Sequence, residues 1–222
     1  MKCISLVCTV HEENGLANIP ELCVILERIR PEVIFLESPP DALDQYLNGG
    51  SSNDLESASV RQYRARNRVE LVPVDLPTPE SRFFNDWAHL QGQAETSDSR
   101  RLITWHKNYA HEYGFAYLNS EHCGKMWADI YAEMRPTLGK IHRPELTKIF
   151  EAWNRQNDLR EDEMLKNIRK YCAEKSFEKG AFLIGAAHRQ SIINKSIEYR
   201  GEHSNLIQWD FSCITSRTNQ KR

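Results

Sequence analysis

The sequence predicts an α/β protein, with a central, mostly parallel sheet flanked by helices and a large helical insertion or cap. Five short apolar runs have the composition of buried strands: residues 3–10, 33–36, 69–74, 181–187 and about 206–211. The first three runs alternate with segments of helical spacing, which is the pattern of parallel strands joined by right-handed crossovers. The last two runs return to the sheet after a long segment without strand-like runs.

Capping and turn residues separate the first three strands. Pro20 stands where the first residue of a helix is favoured, and Pro31 closes the helix that follows the first strand. The segment NGGSSND, residues 48–54, predicts a loop. Its last residue, Asp54, predicts the N-cap of a helix that runs through about residue 66.

Residues from about 80 to 178 predict the helical insertion or cap of a single domain that spans residues 1–222. This segment is rich in Glu, Lys, Arg, Trp and Tyr at helical spacing. Pro144 predicts a helix start, and an apolar stripe that includes Ile168 belongs to a long helix ending near Gly180. Four tryptophans are expected in the core of this segment: Trp87, Trp105, Trp127 and Trp153.

Composition predicts a cytoplasmic protein that has neither nucleic acid nor a membrane as its partner. The formal net charge is −2 over 222 residues, so no strongly basic surface is expected. No apolar stretch approaches the ~20 residues of a membrane span, and the run at residues 3–10 continues into His11-Glu12-Glu13, unlike a signal peptide. The six cysteines contain no C-x-x-C pair and predict reduced thiols. We expect a small-molecule or peptide substrate, with the oligomeric state left open.

Four polar residues stand at the ends of predicted strands. His11, Glu37, Asp75 and His188 each follow an apolar run directly. Since ligands of parallel α/β folds bind outside the carboxyl ends of the strands, we expect these side chains to converge there. Two imidazoles and a carboxylate serve either as general acids and bases or as ligands of a catalytic divalent metal, and both alternatives stay open.

Short motifs surround these strand-end residues. GAAH ends at His188, and CTVH ends at His11 with Cys8 in place of the first glycine of a G-x-x-H segment. RPEVIFLES contains Glu37, and LREDEMLKNI contains Arg160. In this order the motifs resemble the superfamily that groups the erythromycin esterases, the ChaN-like proteins, the TraB proteins and the Tiki peptidases. The resemblance implies an α/β domain with its site at the strand ends.

The resemblance also implies a hydrolase that cleaves an ester or amide bond. His11, Glu37 and His188 would activate a water molecule, either directly or as ligands of a divalent metal (Mn, Co or Zn). Arg160 would face the oxyanion that develops on the substrate. The alternative is a non-enzymatic protein on the same fold, which binds haem or a metal or is an interaction module whose catalytic set is vestigial.

The remaining polar residues are assigned from their spacing. Asn167 lies seven residues after Arg160 on nearly the same helix face, and we expect Asn167 and Asp75 to contact the substrate. Apart from Arg160, the run REDE at residues 160–163 predicts a solvated helical turn. The side chain of Cys8 is expected to point away from the face that His11 takes, which disfavours a Cys/His nucleophilic pair.

Overall fold

The computed structural model describes residues 1–48, 54–77, 81–93, 97–199 and 206–214. Most of the predicted loop NGGSSND lies outside these ranges, and so does the polar tail after residue 214, which the sequence predicts to be frayed. Of that loop, Asn48 ends one helix and Asp54 caps the next.

Five parallel strands form one sheet at the centre of the fold. The strands are β1 (Lys2–Thr9), β2 (Val33–Leu36), β3 (Glu70–Pro73), β4 (Lys179–Gly185) and β5 (Ile207–Asp210). Their order across the sheet is β3-β2-β4-β1-β5, and every neighbouring pair is parallel. The predicted α/β class with a central parallel sheet is therefore confirmed.

Helices flank the sheet, and two short 3-10 segments, Pro40–Ala42 and Ala186–His188, accompany them in the described part of the chain. The described helices are α1 (Ile19–Ile29), α2 (Leu43–Asn48), α3 (Leu55–Arg64), α4 (Ser81–Gln93), α5 (Ser97–Leu118), α6 (Glu121–Ile141), α7 (Pro144–Glu174) and α8 (Arg189–Glu198). None of them combines the length and the apolar character that crossing a bilayer requires.

Strands β2 and β4 are apolar along nearly their whole length because the sheet is covered on both faces. All of β2 is buried, and so are residues 180–184 of β4. Successive side chains of a strand point to opposite faces, so a strand covered on both sides needs a continuous apolar run. Strand β4 ends two residues earlier than predicted, because the chain turns into the 3-10 segment at Ala186.

Side-chain caps begin helices α1 and α3. Asn18 Oδ1 accepts a hydrogen bond from the backbone N–H of Glu21 at 3.0 Å, and Asp54 Oδ1 accepts one from the N–H of Ser57 at 2.7 Å. Each bond satisfies an N–H group that has no partner within the helix. The predicted N-cap at Asp54 is confirmed, and it places Glu56 in the first turn of α3.

The side chain of Asn119 completes the hydrogen bonding of strand β1. Strand β5 pairs only with residues 2–5 of β1, so another group must serve the backbone further along that edge. The N–H of Cys8 donates to Asn119 Oδ1 at 2.7 Å, and Asn119 Nδ2 donates to the carbonyl of Cys8 at 3.0 Å. The buried Asn119 amide thus substitutes for a neighbouring strand.

The cysteines are free thiols, in agreement with the reduced set that the sequence predicts. Burial raises the pKa of Cys123 and of Cys172 to about 12. Burial also raises the pKa of the fully buried Cys8 far above its ordinary value. Cys8 is therefore a neutral thiol inside the sheet, which agrees with the expectation that it forms no nucleophilic pair with His11.

Helices α4 to α7 follow one another between β3 and β4, where the sequence predicts the helical segment. Helix α7 has 31 residues and ends at Glu174, before the predicted end near Gly180, because the backbone is extended at Lys175. In its second half, Met164, Leu165, Ile168 and Cys172 are buried in the main core with the sheet. The preceding turn of α7 consequently lies over the carboxyl ends of the strands.

The tryptophans of the helical segment have different surroundings. Trp87 and Trp153 stack with ring centroids 4.2 Å apart, and Phe83 stacks on Trp153 at 5.1 Å. A cavity of about 160 Å³ beside this stack is lined by α4 and α7 and by none of the strand-end residues. Trp105 is not a core residue as predicted: it is 45% exposed and lies beneath the guanidinium of Arg101.

Candidate active site

Glu37 lies at the carboxyl end of β2 and is held by three hydrogen-bond donors or cations. Its Oε1 accepts from Arg160 at 2.6 Å, and its Oε2 accepts from the N–H of Gly185 at 2.7 Å. His188 Nε2 faces Oε1 at 3.4 Å. Burial alone would raise the pKa of Glu37, but the charge and hydrogen bond of His188, the charge of Arg160 and the N–H of Gly185 hold this pKa well below its usual range.

Arg160 joins the carboxyl ends of β2 and β3. Its Nη2 donates to Glu37 at 2.6 Å and to Asp75 Oδ2 at 2.7 Å, and its Nε contacts both oxygens of Asp75 at 3.1–3.2 Å. Nη1 donates to Asn157 at 3.3 Å. Burial lowers the pKa of Arg160, but its hydrogen bonds to Asp75 and Glu37 and the charges of these two groups outweigh burial and raise the pKa. The guanidinium is therefore a permanent cation between the buried Asp75 and the nearly buried Glu37, whose side chain is 9% exposed.

His188 ends the 3-10 segment after β4 and is only 8% exposed. Its Nδ1 lies 2.7 Å from Glu161 Oε1, and its Nε2 is the atom that faces Glu37. Burial lowers the pKa of His188, but the charge of Glu37 and the hydrogen bonds to Glu161 and Glu37 outweigh burial and raise the pKa to about 9. His188 is therefore an imidazolium at neutral pH, with a carboxylate at each ring nitrogen.

Glu161 is a buried member of the site rather than part of a solvated turn, so that prediction for residues 160–163 is wrong at this position. It is 5% exposed. Its Oε2 accepts from the hydroxyl of Ser191 and lies 3.4 Å from Lys195 Nζ, both on α8. Glu161 continues the buried stripe of α7 three and seven residues before Met164 and Ile168, and this spacing was the signal that could have identified it.

The other strand-end and helix residues are placed as follows. His11 is exposed. Within the described part of the chain, its side chain forms no hydrogen bond or ion pair with Glu37 or His188. Its backbone carbonyl accepts from the N–H of Leu55 at 2.8 Å. The amide of Asn167 donates to the carbonyl of Val74 at 2.9 Å, which ties α7 to the end of β3. The substrate contacts predicted for Asn167 and Asp75 stay predictions, and both side chains already have protein partners.

The arrangement does not fit the predicted metal set of His11, Glu37 and His188. Among residues 1–48, 54–77, 81–93, 97–199 and 206–214, no group of three or more His, Cys, Asp or Glu side chains has the placement to hold a metal ion. Both nitrogens of His188 face carboxylates, both oxygens of Glu37 have donors, and the His11 side chain forms no hydrogen bond or ion pair with either residue. We therefore derive no step through a metal or through haem, and both cofactors stay predictions.

The contact between His188 and Glu37 is longer than the other charged contacts of these two residues. An ionised N–H···O pair is normally 2.7–2.9 Å long, and the other charged contacts of Glu37 and His188 measure 2.6–2.7 Å. At 3.4 Å, the Nε2–H of His188 can turn to an incoming oxygen without breaking a short bond. The site therefore offers one acidic proton beside a carboxylate and a fixed guanidinium.

The raised pKa of His188 predicts that the folded protein loses stability at alkaline pH. The pKa is about 9 in the fold against 6.5 for the free side chain, so the folded state binds this proton more tightly. The contribution is fully present below pH 6.5 and is lost as the pH rises through about 9. Its size is on the order of 3 kcal/mol. Urea unfolding at several pH values between 6 and about 10 measures it.

A pair of variants isolates the His188 component of that slope. His188→Gln has no titrating ring at this position, so the decrease between about pH 8 and 10 will be smaller than in the unsubstituted protein. His89 is exposed on α4, and His89→Gln will keep the full decrease. An unchanged alkaline slope in His188→Gln would show that the imidazolium is not stabilised by its two carboxylates.

Comparison with known proteins finds one distant structural likeness. No protein-family model and no curated protein sequence matches the chain. A histidine-to-asparagine mutant of the erythromycin esterase EreC, in its open conformation, is similar to 93% of this chain with 10% sequence identity and a TM-score of 0.40. The match covers 68% of the esterase chain. At this identity and TM-score the likeness assigns no residue roles, so the chemistry has to be argued from the side chains.

Proposed function

We propose that the protein is a hydrolase that uses Glu37, His188 and Arg160 to add water to an ester or amide carbonyl. The observation that carries the proposal is the buried imidazolium of His188, whose Nε2 faces Glu37 at 3.4 Å while Arg160 holds the same oxygen at 2.6 Å. Acyl hydrolysis needs an acid, a base and a cationic hydrogen-bond donor close together. His188, Glu37 and Arg160 supply these three groups around one oxygen atom.

Substrate binding raises the basicity of Glu37 in this proposal. In the unliganded site, the donors of His188 and Arg160 hold the pKa of Glu37 low. A carbonyl oxygen that enters beside Oε1 competes for these donors, and the competition increases as negative charge develops on that oxygen. The cause of the low pKa is then partly removed, so Glu37 becomes a base when an electrophile is present.

The proton transfers follow from this exchange of partners. Glu37 takes a proton from the water whose oxygen attacks the carbonyl carbon, and Arg160 and His188 donate to the oxyanion. His188 Nε2 then gives its proton to the leaving oxygen or nitrogen as the tetrahedral intermediate collapses. Glu37 returns the proton to His188, while Glu161 holds Nδ1 throughout. The choice of an ester or amide bond rests on the motif resemblance.

Hydrolysis of a panel of p-nitrophenyl esters and aminoacyl p-nitroanilides tests the proposal. Glu37→Gln and His188→Asn will each lower kcat/KM by roughly 10²- to 10⁴-fold, because each removes a proton-transfer group. Glu163→Gln and His89→Asn make the same chemical changes at positions outside the site and will leave kcat/KM unchanged. Full activity in folded Glu37→Gln or His188→Asn protein would refute the proposal.

The predicted third residue and the predicted cofactors are tested on the same preparation. His11→Ala will lower kcat/KM only if the exposed ring reaches the substrate, and unchanged activity would remove His11 from the proposed set. Metal analysis tests the predicted divalent metal, and an absorption spectrum tests the predicted haem. Stoichiometric metal that is required for hydrolysis, or a Soret band, would contradict the metal-free mechanism given above.

A further inference from the structure

Thr9 and Glu56 make a buried contact one strand away from His188. Thr9 is the last residue of β1 and is fully buried, and Glu56 in the first turn of α3 is 7% exposed. The hydroxyl of Thr9 is hydrogen-bonded to Glu56 Oε1. The same hydroxyl oxygen lies 3.2 Å from the carbonyl oxygen of Ile184 in β4. One hydroxyl group therefore touches a side-chain carboxyl and a backbone carbonyl.

That backbone carbonyl belongs to the peptide group that binds Glu37. The C=O of Ile184 and the N–H of Gly185 are the two ends of one planar amide. Its N–H donates to Glu37 Oε2 at 2.7 Å. A continuous relay thus runs from Glu56 through the Thr9 hydroxyl and this amide to Glu37. A donor to the carbonyl end of an amide polarises it and strengthens the hydrogen bond that its N–H makes.

The number of protons decides the charge of Glu56. The Thr9 hydroxyl has a single proton, and the Ile184 carbonyl can only accept. If that proton goes to Ile184, the bond between Thr9 and Glu56 needs a proton from Glu56, which must then be a neutral carboxylic acid. If Glu56 is ionised, it takes the Thr9 proton and the Ile184 carbonyl loses its donor.

The charges around Glu56 favour the neutral acid. Burial raises its pKa first, the charges of Glu37 and Asp54 raise it further, and together they outweigh the Thr9 hydrogen bond and bring the pKa to about 8. Burial and then the charge of Glu56 raise the pKa of Tyr46 on α2, so this neighbouring hydroxyl is uncharged. No basic side chain among the described residues forms an ion pair with Glu56, whereas Glu37 has Arg160.

We propose that Glu56 is a positioning residue that, as a neutral carboxylic acid, orients Glu37 through this relay. The relay fixes Oε2 and leaves Oε1 to face His188 and the substrate. When Glu56 ionises, the Thr9 hydroxyl donates its proton to Glu56 instead of to Ile184. The hydrogen bond from Gly185 to Glu37 then weakens, and the Glu37 carboxylate is held less firmly. This inference rests on the proposed function only for the role of Glu37 in hydrolysis, since the relay itself is independent of activity.

The amide signal of Gly185 in ¹H–¹⁵N NMR spectra of the full chain tests the relay without an activity assay. In the unsubstituted protein, the amide proton will lie downfield near pH 6.5 and move upfield in a step with its midpoint at about pH 8. Glu56→Gln cannot ionise and still donates to Thr9, so this step will be lost and the signal will stay downfield. Glu163→Gln, a change at a half-buried carboxylate of α7 that pairs with Lys166, will keep the step.

Two substitutions of Thr9 separate the hydroxyl from its packing. Thr9→Val keeps the shape but has no hydroxyl, so the Gly185 amide signal will lie upfield both below and above about pH 8. Thr9→Ser restores the hydroxyl and will restore the downfield signal and its step. A step near pH 8 that persists in Glu56→Gln overturns the proposal, as does a Gly185 signal that is the same in Thr9→Val and Thr9→Ser. If Thr9→Val does not fold, the Glu56→Gln result decides alone.

Discussion

Replacing Arg160 by leucine will lower the free energy of unfolding by about 3–5 kcal/mol, the range found when one partner of a buried ion pair is removed. The change leaves two negative charges on Glu37 and Asp75, whose side chains are only 9% and 6% exposed, without the guanidinium that lies 2.6–2.7 Å from each. Leucine supplies apolar volume but no donor, so each carboxylate loses a charge-assisted hydrogen bond. Urea unfolding at pH 7, followed by circular dichroism, measures the difference.

Two further variants make the Arg160 result specific. Arg155 lies on the exposed face of the same helix, and Arg155→Leu will change stability by less than about 0.5 kcal/mol. Arg160→Lys keeps the charge but cannot make the bidentate contact with Asp75. Its loss of stability will therefore lie between those of Arg155→Leu and Arg160→Leu. If Arg160→Leu were as stable as Arg155→Leu, the buried network would contribute nothing to the fold.

Replacing Asn119 by leucine will lower the free energy of unfolding by about 2–5 kcal/mol. The Asn119 side chain is the partner of both the N–H and the carbonyl of Cys8 in the inner strand β1. Each buried backbone group left without a partner costs about 1–3 kcal/mol, and leucine satisfies neither. The same unfolding measurement applies, and hydrogen exchange at the Cys8 amide will become faster because its protecting bond is lost.

Asn108 provides the matched control for the Asn119 prediction. It is exposed on α5, the helix that ends one residue before Asn119, so Asn108→Leu makes an identical chemical change without removing a strand-like partner. Its stability will stay within about 0.5 kcal/mol of the unsubstituted protein. Equal effects at the two positions would mean that the loss comes from the Asn-to-Leu change itself and not from the unpaired edge of β1.

The sheet could be predicted from the sequence because its strands are buried on both faces. A run such as Val33–Leu36 has four apolar residues between a proline-bearing turn and Glu37, and its observed bounds match the predicted ones. Polar residues directly after such runs could be placed at one edge of the sheet from the strand order alone. The structure does bring Glu37, Asp75 and His188 to that edge, joined through Arg160 and direct contacts.

The distances within the site depend on side-chain orientation, which a strand-end position does not specify. His11 follows β1 as His188 follows β4, yet the ring of His11 is exposed and that of His188 is buried between two carboxylates. Glu161 was missed because a carboxylate in the run REDE normally faces water. Its partners, Ser191 and Lys195, lie on α8, and their approach to α7 is a tertiary contact without a local sequence signal.

The length of α7 couples two distant parts of the molecule. Trp153, in the aromatic stack with α4, precedes Arg160 by seven residues, which is roughly 10 Å along a helix axis. Helix α7 is continuous over this stretch, so a displacement of Trp153 along or around the helix axis would be transmitted to Arg160. Either motion carries the guanidinium away from two strands at once. The tryptophan stack thus helps to hold Arg160 in place from a distance. A molecule bound in the cavity beside the stack would therefore shift Arg160 relative to Glu37 and Asp75.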